Sequence, residues 1–509
     1  MKDNAVLYLY RGAAIASILL ATLCTLARVS GYPLVEPEFL MAVGLILVFA
    51  FLIAIPLSSL PFIFSALTVS LLSALSANAL LRPFPSLGMF DVLGLFTIPA
   101  FIFVVIFIVC YLLKLNIFSI FTTVFLALLL GSFFTKPGPL QWSNEVLDAA
   151  VERSDALPPY VHIVLDGHSG FSVLEKSIYD NDARIATQVN GFVDRGFKLY
   201  SSVRVHDEHT VASFSDFLNF SHSESGSVGA KNNAISKPKL RNSLLKQNDL
   251  FIKLKESGYK ITVLQTTHLN LCEPQDNTPV VSECFTYPFA ALMANLQNAN
   301  LSVIQKSILM VNQIFVRGGL ASAFNRVAKS EVGQKYGFPG WPIKVCLNCI
   351  ASHTALDMIA PRIINAKHGE AFFIHLITPH PPYQNYDEIC RPDFSLDWVP
   401  LKTENLMNSY IRQTECVQST VFQLVDNIAI TSPNATVVIH GDHGPRFPDM
   451  NITKRKSIVG GYDHSDLPLL TFFASRGPSF ESGYDLNMHA VKSMVFKALD
   501  THNSSSITD

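Results

Sequence analysis

A run of 43 residues without Asp, Glu, Lys or Arg, residues 39–81, constrains this chain more than any other feature. At about 1.5 Å per residue, its helical length is roughly twice the apolar thickness of a bilayer, so one helix cannot use it. Pro56 and Pro61 lie near its middle, where a turn between two spans is expected. The run therefore predicts two membrane spans.

Three further apolar segments extend this membrane region. Residues 92–113 and 115–135 are uncharged, and a first span is expected at 7–27. We interpret the first span as an uncleaved anchor because four more spans follow it. The N-terminal region, residues 1–136, is therefore predicted to be a transmembrane domain of about five spans.

Six cysteines lie in the more polar remainder of the chain: Cys272, Cys284, Cys346, Cys349, Cys390 and Cys416. Their number is even, and two pairs are close in sequence, which predicts disulfides in an oxidising compartment. The Cys-x-x-Cys at Cys346 is also compatible with zinc binding or redox chemistry. The connectivity stays open at this point.

The composition changes after Lys136. Residues 137–157 are predicted to be a linker near the membrane surface, with a polar helical stretch at 143–154. Beyond it, short apolar runs rich in β-branched residues alternate with longer amphipathic segments such as 405–430. The strands are predicted at 160–165, 260–265, 371–377, 435–439 and 467–474. This alternation predicts an α/β domain with a largely parallel central sheet, at residues 158–500.

Carboxylate and imidazole side chains recur just after the predicted strands. Open α/β sheets place their ligands at the carboxyl ends of the strands, so these side chains are expected to meet. Their combination suits zinc or manganese. A single such residue would more often be part of a turn or a hydrogen-bonded histidine of the core. The residues are Asp166 and His168, then His380, and finally His440, Asp442 and His443.

These motifs resemble the sulfatase-like branch of the alkaline phosphatase superfamily over residues 158–480. The segments that carry the resemblance are IVLDGHSG, residues 206–220, HLITPHPPY and VVIHGDHG. Within the branch, the chain is similar to membrane-anchored lipoteichoic acid synthases, phosphoglycerol transferases and lipid A phosphoethanolamine transferases. The resemblance implies an N-terminal five-helix transmembrane bundle followed by an extracytoplasmic α/β alkaline-phosphatase-like domain.

The resemblance also implies residue roles. Thr210 occupies the position of the family's catalytic threonine, although Asp207 and Glu208 stand where Asn-Tyr is common. A helix N-cap is the alternative role for Thr210. The implied ligands of a zinc or manganese ion are Asp166, Thr210, Asp442 and His443. His380 is expected to act on the leaving group, His464 as a further ligand or acid/base, and His168 and Arg446 at the substrate.

The function implied is a metal-dependent transferase. It would move phosphoethanolamine or phosphoglycerol from a membrane phospholipid to an envelope glycan or glycolipid through a phosphothreonine intermediate. The implied location is the inner membrane, multi-pass, with the catalytic domain in the periplasm. Neither the group moved nor the oligomeric state follows from the sequence.

Other classes of protein are weighed against this one. A sulfatase-like hydrolase, either phosphodiesterase or sulfatase, is an alternative within the fold, but Asp276 stands where a formylglycine signature beginning at Cys272 needs Arg. A non-catalytic receptor or scaffold is another alternative. A transporter is disfavoured because the apolar spans contain no ionisable pair. The net charge of −2 gives no basic excess that would favour nucleic acid.

Overall fold

A computed structural model of the chain describes part of its 509 residues. The described residues are 2–81, 101, 104–105, 108–109, 117–134, 142–147, 154–172, 174, 183–205, 207–219, 235–236, 243–245, 248–273, 279–288, 292–343, 345–383, 386–387, 390–392, 403–445, 447, 458–459, 462–463, 468–477, 486–487 and 495.

The regular elements follow in chain order. The helices are α1 (Lys2–Val29), α2 (Pro37–Ser59), α3 (Phe62–Leu81), α4 (Ile117–Phe134), α5 (Ala183–Val193), α6 (Thr210–Asn219), α7 (Asp249–Glu256), α8 (Leu292–Asn298), α9 (Val303–Arg317), α10 (Leu320–Lys329), α11 (Glu331–Tyr336), α12 (Leu347–Ile364) and α13 (Thr403–Thr431). The strands are β1 (Ser143–Val146), β2 (Tyr160–Leu165), β3 (Lys198–Arg204), β4 (Ile235–Ser236), β5 (Ser243–Leu245), β6 (Lys260–Thr266), β7 (Leu269–Asn270), β8 (Glu283–Tyr287), β9 (Glu370–Leu376), β10 (Thr436–Gly441), β11 (Ile458–Val459), β12 (Tyr462–Asp463), β13 (Leu470–Arg476) and β14 (Leu486–Asn487).

The chain divides into two compact units. One comprises residues 1–140, 291–344 and 394–401, and the other comprises 141–290, 345–393 and 402–509. The first unit therefore gathers the N-terminal helices together with α8–α11, which the sequence interpretation had placed inside one continuous domain at 158–500. The predicted division at 136 and 157 stays a prediction.

The long uncharged run forms two helices, α2 and α3. They are separated at Leu60 and Pro61, as the length argument required, whereas Pro56 lies inside α2. Among the described residues, two helices are long and apolar enough to cross a membrane, Val6–Val29 and Pro37–Ser59. Residues 92–113 lie largely outside the described residues, so the count of five spans stays a prediction.

The second unit is built on a nine-stranded sheet in the order β1-β8-β6-β9-β2-β10-β13-β3-β14. The five strands from β8 to β10 are parallel, as expected. However, β13 is antiparallel to both of its neighbours, and β1 is antiparallel to β8. The sheet is therefore mixed: seven of its nine strands run in one direction, as expected of a largely parallel sheet, and β1 and β13 run against them. The apolar pattern of a strand reports its burial and does not report its direction.

The central strands are covered on both faces. Every residue of β2 and of β10 is buried, which explains their continuous apolar sequences. On one face, Phe217 of α6 and Phe251 of α7 belong to the same buried cluster as Val263 of β6 and Phe373 of β9. This packing fixes the strands whose carboxyl ends carry the polar motifs.

The segment expected to be a polar helix after the membrane region contains a strand instead. All four residues of β1 pair with β8, from Ser143 opposite Thr286 to Val146 opposite Glu283. The side chains of β1 are exposed, and the strand occupies one edge of the sheet. Its polar sequence matches a helix surface and an edge strand equally well, and the pairing partner decides between them.

The six cysteines form three disulfides. The bonds join Cys272 to Cys284, Cys346 to Cys349, and Cys390 to Cys416. The third bond connects the chain after β9 to the buried face of α13. The expected disulfides are therefore present, and the Cys-x-x-Cys pair is one of them.

A buried chain of hydrogen bonds crosses the middle of the sheet. The Tyr160 hydroxyl lies 2.8 Å from His162 Nδ1, and His162 Nε2 lies 2.9 Å from His440 Nε2. His440 Nδ1 lies 2.7 Å from the carbonyl oxygen of Gly441, so it carries the proton. With both imidazoles neutral, the Tyr160 hydroxyl donates to His162 Nδ1 and His162 Nε2 donates to His440 Nε2, so each ring nitrogen has a partner. Burial lowers the pKa of His162 well below its usual value, with a further contribution from His440.

This chain of hydrogen bonds predicts acid sensitivity. In the unfolded protein His162 gains a proton below about pH 6.5, whereas the folded protein keeps it neutral. The free energy of unfolding should therefore fall with pH below about 6.5, by up to about 1.4 kcal/mol per pH unit from this residue. The measurement is urea unfolding at several pH values of the wild type and of His162→Phe, which should have a shallower slope. The exposed His368, changed to Phe, is the control; equal slopes in all three proteins would refute the assignment.

Candidate functional site

Strand register brings two aspartates together at the carboxyl edge of the parallel strands. Leu165, the last residue of β2, pairs with Gly441, the last residue of β10. Asp166 and Asp442 follow these two residues directly, and both carboxylates are buried. The proximity predicted from the strand ends is therefore present for this pair.

Gly167 shapes the turn between Asp166 and the rest of its motif. Its φ is +70°, and a Cβ at this position would lie 2.8 Å from the carbonyl oxygen of Pro379. Its amide donates to Asp442 Oδ1 at 2.9 Å, as does the amide of His443 at 2.8 Å. These two donors both bind Oδ1 of Asp442, so they fix the orientation of the carboxylate without occupying Oδ2.

Thr210 is the first residue of α6, and its side chain is buried. Its Oγ1 lies 3.2 Å from Asp166 Oδ2 and 3.3 Å from His443 Nε2. The hydroxyl therefore faces the two acidic strand ends, whereas an N-cap side chain would face the amides of its own helix. One turn later, Ser213 Oγ donates to the carbonyl oxygen of Asp442, which ties α6 to this loop.

His443 presents an unprotonated nitrogen to the same point. Its Nδ1 donates to the carbonyl oxygen of Gly444 at 2.7 Å, which leaves the lone pair on Nε2. This Nε2 lies 3.6 Å from Asp166 Oδ1 and 3.6 Å from Asp442 Oδ2. The four residues implied by the resemblance as metal ligands are thus grouped around one position.

The sequence interpretation missed His375, which lies inside β9. One ring nitrogen of His375 and one oxygen each from Asp166 and Asp442 all lie within 4.8 Å of one another. Both ring nitrogens are buried and have no hydrogen-bond partner among the described residues. The sequence search considered only residues beyond the strand ends. A histidine in an otherwise apolar strand, as in AFFIHLI, was the available signal.

The electrostatics of this group favour a cation. Burial raises the pKa of Asp442, and burial lowers the pKa of His375 to about 3. Asp166 Oδ1 and Asp442 Oδ2 are buried and have no hydrogen-bond partner among the described residues. Two adjacent buried carboxylates are strongly unfavourable unless a positive charge compensates them. The two carboxylates and the neutral imidazole of His443, with Thr210 beside them, therefore fit a divalent metal ion.

Two further histidines lie at this edge of the sheet. His380 follows β9, and its Nδ1 donates to the carbonyl oxygen of Pro381 at 2.6 Å, which leaves Nε2 for other partners. His268 follows β6, and burial lowers its pKa, while Asp166 raises that pKa and His380 lowers it by smaller amounts. His268 is thus near both residues, and the sequence interpretation had not singled it out.

The structure places the side chain of His168 in the interior of the protein. Its side chain is fully buried, with its ring edge-on to Phe472. Nδ1 donates to Ser169 O at 2.9 Å, and Nε2 lies 3.2 Å from Gln418 Nε2. Both nitrogens therefore have partners inside the protein, and the expected role of His168 at the substrate stays a prediction. His464 and Arg446, the other expected contacts, lie outside the described residues.

The family is shown by sequence. The Sulfatase family model matches residues 159–469, more than half of the chain, so the chain belongs to the sulfatase family. The matched region contains the strand-end motifs and Thr210. No curated protein matches the chain.

Several solved structures are similar to the chain at low identity. The soluble domain of lipooligosaccharide phosphoethanolamine transferase A from Neisseria meningitidis is 13% identical, covers 70% of this chain and 92% of that chain, and has a TM-score of 0.38. The integral membrane form of that transferase is 13% identical, covers 98% and 95%, and has a TM-score of 0.37. Lipoteichoic acid synthase LtaP from Listeria monocytogenes is 12% identical, covers 70% and 75%, and has a TM-score of 0.35. At these scores the likenesses add nothing to the family assignment.

Proposed function

We propose that the chain is a metal-dependent transferase that moves a phosphodiester headgroup, phosphoethanolamine or phosphoglycerol, from a membrane phospholipid to an envelope glycan or glycolipid. The proposed location is the inner membrane, with the sulfatase domain in the periplasm. The disulfides of the second unit favour an oxidising compartment. The apolar N-terminal helices would keep the enzyme beside its lipid donor.

One observation carries the proposal. A buried threonine hydroxyl, Thr210 Oγ1, lies against both Asp166 and His443 at the edge of the sheet where the metal-ligand set converges. Burying the two carboxylates beside this hydroxyl costs free energy, and in a non-catalytic scaffold that cost would bring no benefit. The position suits a nucleophile.

The metal ion would be held by Asp166, Asp442, His443 and Thr210. When bound, a divalent zinc or manganese ion stabilises a deprotonated threonine oxygen and neutralises charge on phosphoryl oxygens. The hydrogen bonds from the amides of Gly167 and His443 keep Asp442 oriented for this role. The hydroxyl proton of Thr210 passes to solvent as the site is loaded.

The first half of the reaction attaches the headgroup to the protein. The oxygen of Thr210 attacks the phosphorus of the phospholipid, and the bond from phosphorus to the diacylglycerol oxygen breaks. His380 begins this step as an imidazolium and donates its Nε2 proton to the departing oxygen, so diacylglycerol leaves as a neutral alcohol and the ring is left neutral. The product is a phosphodiester between Thr210 and the headgroup alcohol.

The second half transfers the headgroup to the acceptor. A hydroxyl of the glycan or glycolipid attacks the phosphorus and gives its proton to His380. The bond from phosphorus to Thr210 breaks, which restores the threonine oxygen. If water replaces the acceptor, the same site performs hydrolysis. Whether water can reach the phosphothreonine intermediate therefore distinguishes a transferase from a hydrolase.

Headgroup transfer is tested with the full chain in phospholipid nanodiscs. Phosphatidylethanolamine and phosphatidylglycerol, each radiolabelled in the headgroup, are supplied separately, with and without lipid A as acceptor. Label that moves to the acceptor and depends on its presence supports the proposal, and the active donor identifies the group. Label released equally without acceptor supports a hydrolase instead. Label that stays on the donor in both arms, with metal bound, supports a receptor or scaffold.

A further inference from the structure

Helices α8–α11 are inserted in the sequence of the sulfatase domain, between β8 and α12, yet they belong to the compact unit of the N-terminal helices. The pair α9 and α10, taken together, is apolar and long enough for a membrane segment, and its two parts are bent by 74°.

Helix α9 packs against the apolar helices at its beginning. Ser307 Oγ donates to the carbonyl oxygen of Glu38 at 2.8 Å, and Lys306 Nζ lies 3.6 Å from Glu38 Oε1. Glu38 is in the first turn of α2, so this contact fixes the start of α9 at the end of the bundle where α2 begins.

Further contacts follow along both helices. The rings of Phe315 and Phe49 are 6.4 Å apart, and a Cβ added to Gly318 would lie 3.0 Å from the carbonyl oxygen of Leu75 in α3. Ser307 and Phe315 are separated by about 12 Å along the helix axis at 1.5 Å per residue. Because α9 meets first Glu38 and then Phe49, it runs beside α2 toward the middle of the candidate span.

The chain turns at the end of α9. Gly319 has φ +90°, a conformation that favours glycine, and α10 begins after it. Trp341 joins the two helices: its Nε1 donates to Asn312 Oδ1 at 2.8 Å, and its amide donates to Asn325 Oδ1 at 2.7 Å. The bent pair is therefore held as one folded element.

Large apolar side chains are exposed on α10, on α11 and just after α11. They are Phe324, Val327, Val332, Tyr336 and Phe338, which are 41%, 52%, 62%, 69% and 50% exposed. Arg326 and Lys335 are exposed on the same two helices, together with the acid Glu331. Apolar side chains mixed with Lys and Arg are typical of helices at a phospholipid interface, where cations meet headgroup phosphates. The apolar surface of α2, which includes Leu45 and Leu52, belongs to the same unit.

We propose that α9–α11 form a membrane-inserted, re-entrant element whose exposed face contacts phospholipid, with the acyl chains against Phe324, Val327 and Val332 and the headgroups at the basic side chains. The element would give the sulfatase chain a second membrane attachment in addition to its N-terminal helices. This inference is independent of the transfer chemistry.

Photolabelling of the wild-type full chain in nanodiscs tests the proposal. Phosphatidylcholine carrying a diazirine on its acyl chain is irradiated, and the labelled residues are mapped by mass spectrometry. We expect labels at residues 324–338 as well as at Leu45 and Leu52, the positive controls on α2. Ile430, an 80% exposed apolar side chain on α13, is the matched control and should carry only background label.

The outcomes separate the possible occupants of this face. Label at 324–338 comparable to that at Leu45 supports insertion. Background label there, together with modification by hydroxyl radicals generated in water, would show a solvated surface and overturn the proposal. Protection from both reagents, with chemical cross-links between two copies of this segment, would show that a second copy covers the face and would also overturn it.

Discussion

Replacement of Thr210 by alanine should abolish headgroup transfer. The variant lacks the oxygen that would carry the headgroup, and loss of a nucleophile typically lowers kcat by about 10⁴-fold or more. Thr210→Ser retains the hydroxyl and should recover part of the activity. The measurement combines the headgroup-transfer assay with the intact mass of the protein after brief incubation with donor phospholipid. The wild type should gain the mass of the phosphorylated headgroup, and Thr210→Ala should gain none.

A matched control distinguishes loss of the nucleophile from loss of folding. Thr187→Ala removes a hydroxyl that bonds only within α5, to the carbonyl oxygen of Ala183 at 2.8 Å, on an exposed surface. This variant should retain activity and adduct. Thr210→Ala should still bind metal through the remaining ligands and unfold at a temperature near that of the wild type. An adduct that persists in Thr210→Ala would place the nucleophile elsewhere and reject the mechanism.

Replacement of Asp442 by asparagine should remove most of the metal affinity. The variant preserves the oxygen that accepts from Gly167 and His443, but an amide nitrogen replaces the buried Oδ2, which has no hydrogen-bond partner in the described part of the chain. Replacing a residue that is hydrogen-bonded to a metal ligand typically lowers the metal affinity by about 10- to 100-fold. Loss of a direct ligand should therefore weaken metal binding by more than about 100-fold. Isothermal titration of chelator-treated protein with zinc and with manganese measures the change and identifies the preferred ion.

Metal binding should also stabilise the folded wild type. At a free metal concentration of 100 times Kd the gain in unfolding free energy is about 2.7 kcal/mol, and at the same concentration Asp442→Asn should gain little of it. Asp426→Asn is the control, because Asp426 forms a surface ion pair with Arg195, 2.8 Å away. Wild-type protein that binds neither ion would contradict the interpretation of the buried carboxylates.

Strand positions were well predicted, and the largely parallel arrangement holds except for β1 and β13. Predicted strands at 160–165, 260–265 and 371–377 agree with β2, β6 and β9 to within one residue at each end. Buried strands have continuous apolar sequences, and that pattern is local. The antiparallel direction of β13 and the edge strand β1 were not predicted, because both depend on which neighbour the strand meets.

The candidate site was predictable where it depends on strand ends. Asp166, Asp442 and His443 were expected to meet because residues after neighbouring parallel strands share one edge of the sheet. Thr210 was placed only by the resemblance, since no local rule brings the start of α6 to that edge. His375 was missed because its approach to Asp166 and Asp442 depends on a side chain directed from within β9.

The surroundings of His168 could not be predicted from its motif. Its motif, Asp-Gly-His-Ser, places it two residues from Asp166, and closeness in sequence favoured a role at the substrate. The sharp turn at Gly167 separates the two side chains, and the ring of His168 packs against Phe472 in the core. Two neighbouring residues of one motif therefore have different surroundings.

The sequence alone determined that the chain combines apolar helices with an α/β domain, because hydrophobic length and strand patterning are properties of local segments. Tertiary structure decided which residues meet: the mixed order of the sheet, the position of Thr210 against Asp166, and the grouping of α8–α11 with the N-terminal helices. The physical reason is that burial is encoded residue by residue, whereas the partner that covers a buried surface lies far away in the chain. A pattern of apolar residues indicates that a surface is buried, but it does not identify the segment that covers that surface.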